Sequence, residues 1–341
     1  YWQAWREVDT AEAVPGINVF RITQRFARPT ATVAMRVPYT YTYLQAFLAK
    51  LQAAKLPGVT VDEIGDTPEK RKLQCIRVED PTNGDPDTRF TVLTIAREHA
   101  TEHTSSWVLQ GMLTHLLSPA GATSRAKTVW LVVPIEDPDG SARSIFDRLT
   151  AAFRRPNDPA TPPEVFAYAR YLTDFVNAGR PLHVALTLHN VEANEGPHCF
   201  CPFIDVTNKA TVIGVNRRVG ETLKDAGYLC GAPDQAWDTG YAQTRLFGWA
   251  GRVFGTLPLA YETNDRLPAR RLTQADVHTL GGVLAASLAA WGESDAGHEY
   301  RKAVATALTT RNTRRTAYFA KYPARPQPLQ RTKGELLLLG Y

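Results

Sequence analysis

His99 and Glu102 stand three residues apart in Ala96-Arg97-Glu98-His99-Ala100-Thr101-Glu102-His103, close enough for both side chains to act on one spot. An imidazole nitrogen and a carboxylate oxygen are two donor types that zinc accepts, and a third donor from elsewhere would complete a site with one open position. Zinc in that open form does chemistry: it acidifies a water and polarises a carbonyl. The β-branched run Phe90-Thr91-Val92-Leu93-Thr94-Ile95 directly precedes the pair, and a helical pattern (Trp107, Leu109, Met112, Leu113, Leu116, Leu117) follows it. A strand that stops and a helix that starts leave an exposed turn on which the two side chains converge.

Other predicted strands end in similar groups. The continuous apolar run Thr128 to Val133 leads to Glu136-Asp137-Pro138-Asp139-Gly140, Val184 to Leu188 leads to His189-Asn190, and Leu257 to Tyr261 leads to Glu262-Thr263-Asn264-Asp265. In open α/β sheets ligands collect at the carboxyl ends of strands, so four such ends point to one site. Further strands are expected at 59–64 and 73–78 around a Gly65-Asp66 turn. Helices are expected from 40–42, capped by Thr40 or Thr42 and carrying Leu44, Phe47, Leu48 and Leu51, and over 163–178, 212–223 and 273–291. Thr273 with Asp276 has capping-box spacing. The alternation predicts an α/β fold, a mixed, largely parallel central sheet flanked by helices. Residues 1–37, with Ile17 to Ile22 and Ala31 to Val37 as strands, read as a β-rich N-terminal extension. Residues 38–295 form the catalytic domain, and 296–341 a helical, then Pro-rich tail.

Of the 341 residues 44% are hydrophobic and 21% charged, with a net charge of +5, an ordinary balance for a globular protein. No apolar run has the roughly 18–20 residues a membrane helix needs, so no membrane partner is expected. The basic excess at Arg311 to Arg315 has no interleaved aromatic face, so no nucleic-acid partner is expected either. Cys75, Cys199, Cys201 and Cys230 are too few and scattered for a disulfide scaffold or a paired-cysteine zinc site; buried thiols or a bridge to Cys230 both fit. The chain starts at Tyr1 without Met, which a removed leader or a trimmed end would explain, and a secreted or periplasmic setting is expected over a cytoplasmic one. Oligomeric state has no signature here.

Over about residues 33–292 the sequence resembles the zinc carboxypeptidases of the carboxypeptidase A type, closest to their cytosolic-carboxypeptidase-like branch. His99 and Glu102 match the family's HxxE zinc pair, and Ser105-Ser106-Trp107-Val108 is similar to that branch. Asp137-Pro138-Asp139-Gly140 stands where the family has Asn-Pro-Asp-Gly. Pro38-Tyr39-Thr40-Tyr41-Thr42 resembles the motif that opens the catalytic domain, which makes residues 1–37 the end of a preceding β-sandwich. The resemblance implies one zinc ion held by His99, Glu102 and His189, with Glu262 as general base and Tyr241 as a mobile tyrosine over the site. It implies Arg148 as the carbonyl-polarising arginine and Arg154 or Arg155 as the anchor for a substrate carboxylate. The Asn that accompanies that anchor in the family is absent, and the segment between Gly140 and His189 is short for it.

The expected function is therefore a zinc metallocarboxypeptidase that hydrolyses a C-terminal peptide or isopeptide bond through a zinc-activated water, with a peptide or protein C-terminus as substrate. The missing Asn keeps open a zinc amidohydrolase or endopeptidase acting on a cell-wall-type or modified amide. A metal-free binding module is argued against by the presence of Glu262. His99 to His103 also satisfies an H-x-x-E-H pattern in which both histidines ligate, but that needs one continuous helix, and a strand runs almost directly into it. Arg245 or Arg252, if either lines the side-chain pocket, would select an acidic terminal residue.

Overall fold

The computed structural model describes residues 5–6, 8, 10–14, 19–80, 82, 89–149, 152–154, 156, 158, 160–190, 198–200, 209–228, 244–264, 266–267, 270–306 and 308. The chain divides into two compact units, Tyr1–Pro38 and Tyr39–Tyr341. The first holds an antiparallel hairpin, β1 (Thr10–Val14) with β2 (Val19–Thr23), in register from Thr10↔Thr23 to Val14↔Val19. Ala31 to Val37, expected as a strand, forms none. Val33 and Met35 are exposed there, so alternation finds neither a partner strand nor a face to bury.

The second unit is built on a seven-stranded mixed sheet in the order β3-β4-β6-β5-β7-β9-β8. Its strands are β3 (Val59–Asp66), β4 (Lys72–Val78), β5 (Phe90–Ala96), β6 (Thr128–Val133), β7 (Val184–Asn190), β8 (His198–Phe200) and β9 (Leu257–Thr263). The four central strands β6, β5, β7 and β9 run parallel, and β4 and β8 pair antiparallel to them on either side. The α/β expectation holds, with three boundary differences. Gly65-Asp66 belongs to β3, because the turn is made by 67–71, where the Thr67 hydroxyl accepts the Arg71 amide. His189 and Glu262 lie inside β7 and β9, since the ladder between them continues to Asn190↔Thr263. The Pro-Asp-Gly turn opens a short helix.

Two layers of helices cover the sheet. On one side lie α2 (His103–Leu117) and α8 (Gln274–Gly292); the Thr94 hydroxyl of β5 reaches Met112 of α2. Gly281 lets α8 sit close: a Cβ there would lie 2.1 Å from the Val108 carbonyl oxygen of α2. On the other side α5 (Pro163–Asn177) and α7 (Leu246–Phe254) bury Val165, Leu172, Phe247 and Phe254 against Leu93, Ile95, Leu131 and Ala185. The remaining helices are α1 (Tyr41–Ala53), α3 (Ala122–Lys127), α4 (Pro138–Arg143) and α6 (Lys209–Asp225). Two short strands, β10 (Arg266–Leu267) and β11 (Arg270–Arg271), pair with each other, and residues 295–306 are helical. Thr40 caps α1 by accepting the Tyr43 amide, and Thr273 with Asp276 closes the expected capping box on α8.

Candidate metal centre

Strand β5 stops at Ala96 because Arg97 takes a left-handed backbone, φ 64°, which costs a non-glycine residue on the order of 1 kcal/mol. Its own side chain offsets that cost. The fully buried guanidinium donates to the Ala100 carbonyl from Nε and Nη2 and to the Tyr39 carbonyl from Nη1 at 2.9 Å, stapling the turn. Burial lowers its pKa to about 9. The chain re-enters helix at His103 with Glu102 at the N-cap, so residues 99–102 precede α2, and the continuous helix needed by the H-x-x-E-H pattern is absent from this segment. His103 faces elsewhere: its Nδ1 accepts the Tyr39 amide at 3.1 Å.

On this turn His99 Nδ1 lies 2.8 Å from Glu102 Oε1. From β7, His189 Nδ1 lies 2.9 Å from Glu102 Oε2 and 3.2 Å from His99 Nδ1. The structure thus brings His99, Glu102 and His189 together, with one donor atom from each within 4.8 Å of the others, a set that could hold a metal ion. Glu102 and His189 are buried, and His99 is half-covered beneath the Phe146 ring, whose centroid is 4.4 Å away. Burial works against the charged forms here, but the facing groups outweigh it. The two imidazoles bring the Glu102 carboxyl down to about 2, and Glu102, Glu98 and Glu262 hold the His189 imidazole well above its ordinary value. Asn190 ties the turn to the neighbouring strands, accepting the Ser105 amide and donating to the Thr263 carbonyl.

Glu262 is paired in register with His189 across β7 and β9, so both side chains leave the same face of the sheet. Arg148 is held by two buried carboxylates: its Nε is 2.9 Å from Asp137 Oδ1 and its Nη2 is 2.5 Å from Glu164 Oε1. Asp137 also caps α4 through the Gly140 amide, and a Cβ on Gly140 would lie 2.2 Å from Asp137 Oδ2, which is why glycine stands there. Arg154 is the exposed last residue of a 3-10 turn whose Phe153 is buried, while Arg155 and Tyr241 lie outside the described residues. So do Cys201 and Cys230; Cys75 is a buried free thiol.

Arg245 does not line a pocket. It is 1% exposed, with Nη1 2.8 Å from Glu98 Oε1 and 2.9 Å from Asp147 Oδ1, so its charge is matched inside the protein. Arg252 donates to the Phe153 carbonyl. The buried Glu98 sits behind His189 and passed unnoticed in the sequence, although it directly precedes His99 and Thr187 shares the His189 face of β7. Glu136 is buried beside it; burial and the Glu98 charge push its carboxyl well above the usual range.

The family model for the zinc carboxypeptidases of peptidase family M14 matches residues 44–181, a span that holds His99 and Glu102 but not His189 or Glu262. Cytosolic carboxypeptidase 6 of Caenorhabditis elegans is 26% identical over 175 residues, covering 48% of this chain and 37% of that protein. Human cytosolic carboxypeptidase 6 is 32% identical over 106 residues, 30% of this chain and 21% of that one. The matches thus span well under two thirds of these relatives. They are named as cytosolic proteins, which overturns the expectation of a secreted or periplasmic setting. Among the described residues no helix is long and apolar enough to cross a membrane. A metallo-carboxypeptidase of Burkholderia cenocepacia superposes with a TM-score of 0.59 at 23% identity over 74% of this chain and 68% of its own, a likeness of fold. The zinc carboxypeptidase family model thus matches part of this chain, and the chain has the fold of the metallo-carboxypeptidases.

Proposed function

We propose that this protein is a zinc-dependent metallocarboxypeptidase, hydrolysing a C-terminal peptide or isopeptide bond, with one zinc ion on His99, Glu102 and His189 and Glu262 as general base. The observation that carries the reading is the convergence of two imidazole Nδ1 atoms, 3.2 Å apart, on the two oxygens of one carboxylate, with Glu262 in register beside His189. Two ring nitrogens so close call for positive charge on or between them, and this donor set suits zinc. When bound, the ion supplies a Lewis acid that acidifies a water and polarises the scissile carbonyl.

Glu262 takes the proton of the attacking water and returns it to the leaving amine, base first and acid second. Arg148 is assigned to the negative charge that develops on the carbonyl oxygen, and Arg154 or Arg155 to the substrate carboxylate, for which a planar guanidinium suits. Tyr241 is assigned a hydrogen bond over the site.

Two observations favour a second reading, a zinc amidohydrolase or endopeptidase on the same scaffold. Arg148 already lies between Asp137 and Glu164, and the exposed Arg154 has no asparagine beside it. Metal analysis together with cleavage of one peptide in free and amidated C-terminal forms decides between them. The carboxypeptidase reading expects bound zinc and cleavage of the free form alone. Equal cleavage of both forms transfers the protein to the second reading, and a protein that takes up no zinc defeats both.

A further inference from the structure

A neutral imidazole that offers Nδ1 to a metal carries its proton on Nε2, and in a buried site that N–H needs an acceptor. Behind His189 the structure supplies one. Nε2 lies 3.2 Å from the hydroxyl of Thr187, which in turn donates to Glu98 Oε2 at 3.2 Å. The direct separation of His189 Nε2 from Glu98 Oε2 is 3.6 Å, so the hydroxyl is the bridge between them. The other oxygen of Glu98 is 2.8 Å from the Arg245 guanidinium.

The fold explains the alignment. Thr187 and His189 are two residues apart on β7 and share a face, and β5 pairs with β7 up to Ala96↔Leu188, which delivers Glu98 to the same level just past its strand end. Glu98, Thr187, Arg245 and His189 are each at most 4% exposed, so water competes weakly for any of these bonds.

We propose that Glu98, acting through Thr187, is a positioning residue for His189, turning the ring so that Nδ1 faces Glu102 and His99 while Nε2–H is held from behind. Arg245 supplies the opposite charge that fixes the Glu98 carboxylate in place. The proposal rests on the zinc reading given above and assigns to Glu98 no contact with substrate. Outer partners of this kind typically change metal affinity about 10- to 100-fold when removed.

The test is the zinc affinity of the metal-stripped full chain, measured by chelator competition for the wild type, Glu98→Gln, Thr187→Val and the double variant, alongside the visible spectrum of the cobalt-substituted proteins. The expected result is zinc binding weaker by about 10- to 100-fold in each single variant, with a changed cobalt spectrum. The double variant should be no weaker than Glu98→Gln alone, because both changes cut one chain of hydrogen bonds. A merely structural role for the Glu98–Arg245 pair would lower the unfolding temperature and leave zinc affinity and spectrum unchanged; that outcome overturns the proposal. If Glu98→Gln does not fold, Thr187→Val decides alone by the same criterion. A wild type that binds no zinc overturns this proposal and the zinc reading together, whereas a zinc-binding wild type with unaltered variants overturns this one only.

Discussion

His183 lies one residue before β7 and His189 one residue before its end, both almost wholly buried, yet their surroundings drive them to opposite protonation. His183 stacks on Phe90, which also packs on Trp291, and its Nδ1 accepts the Thr91 amide at 3.0 Å. Burial there, with a smaller push from Arg301, brings its pKa down to about 3. Burial opposes the charge on His189 too, but the carboxylates of Glu102, Glu98 and Glu262 outweigh it. Depth alone therefore does not set the fate of a histidine in this sheet. The amino ends of the parallel strands are sealed by apolar rings, and the carboxyl ends collect charge, which is where an α/β sheet receives its ligand.

The largest effects should come from breaking the charged end. His189→Ala should abolish zinc uptake and hydrolysis together, while His183→Gln, at the other end of the same strand, should keep zinc. Metal content of the purified variants checks this, and a zinc-loaded His189→Ala protein would remove His189 from the ligand set. Glu262→Gln separates the base from the ligands: zinc should stay and kcat should fall by about 10²- to 10⁴-fold, the usual worth of a positioned general base. Loss of zinc in that variant would instead make Glu262 a ligand.

Much of this contrast was legible in the sequence, for a physical reason. The runs at 90–95, 128–133, 184–188 and 257–261 are apolar enough to be buried on both faces, and the first three are also β-branched, so the polar residues that follow them had to mark strand ends. What periodicity did not reveal was how charges deep in the fold divide among partners. Arg148, Arg154, Arg155 and Arg245 look alike as residue types. Only the packing shows Arg245 locked between Glu98 and Asp147 and Arg148 between Asp137 and Glu164. The strand expected at Ala31 to Val37 failed in the opposite way. Its alternation was genuine, but a strand exists only by virtue of a partner, and the neighbouring sequence does not name one.

The charged end itself contains two kinds of cluster, and Arg148→Met tests the difference. His99, Glu102 and His189 converge as donors around a place for a cation, whereas Asp137 and Glu164 already enclose one. Both of those carboxylates have fully buried side chains, and the Arg148 side chain is 21% exposed. Removing the guanidinium should cost about 3 kcal/mol of stability, at the lower end of the range for breaking a buried pair because of that exposure. Zinc content should not change. Denaturant unfolding measures the loss. An unchanged midpoint, with hydrolysis reduced, would move Arg148 from holding the Asp137 turn to acting on substrate alone.

The smallest effect is at the sealed end and depends on pH. The folded pKa of His183 lies below its unfolded value of about 6.5, so the unfolded chain binds the proton first as pH falls. Its contribution to stability is present in full above the unfolded pKa and is lost as pH drops toward about 3. Between pH 7 and pH 5 that loss should be about 2 kcal/mol. Protonation at Nδ1 would also break the bond from Thr91, at the point where the His183 carbonyl accepts the Leu257 amide and joins β7 to β9. His183→Gln keeps an acceptor for Thr91 but cannot titrate. Its stability will differ from that of the wild type by a constant from lost ring packing, so the readout is the slope with pH. Acid release of zinc from the other end acts on both proteins alike and cancels in the difference. Parallel stability curves for the two proteins from pH 7 to pH 5 would show that His183 takes up its proton equally in the folded and unfolded chains, and would leave the contrast between the ends of β7 to geometry alone.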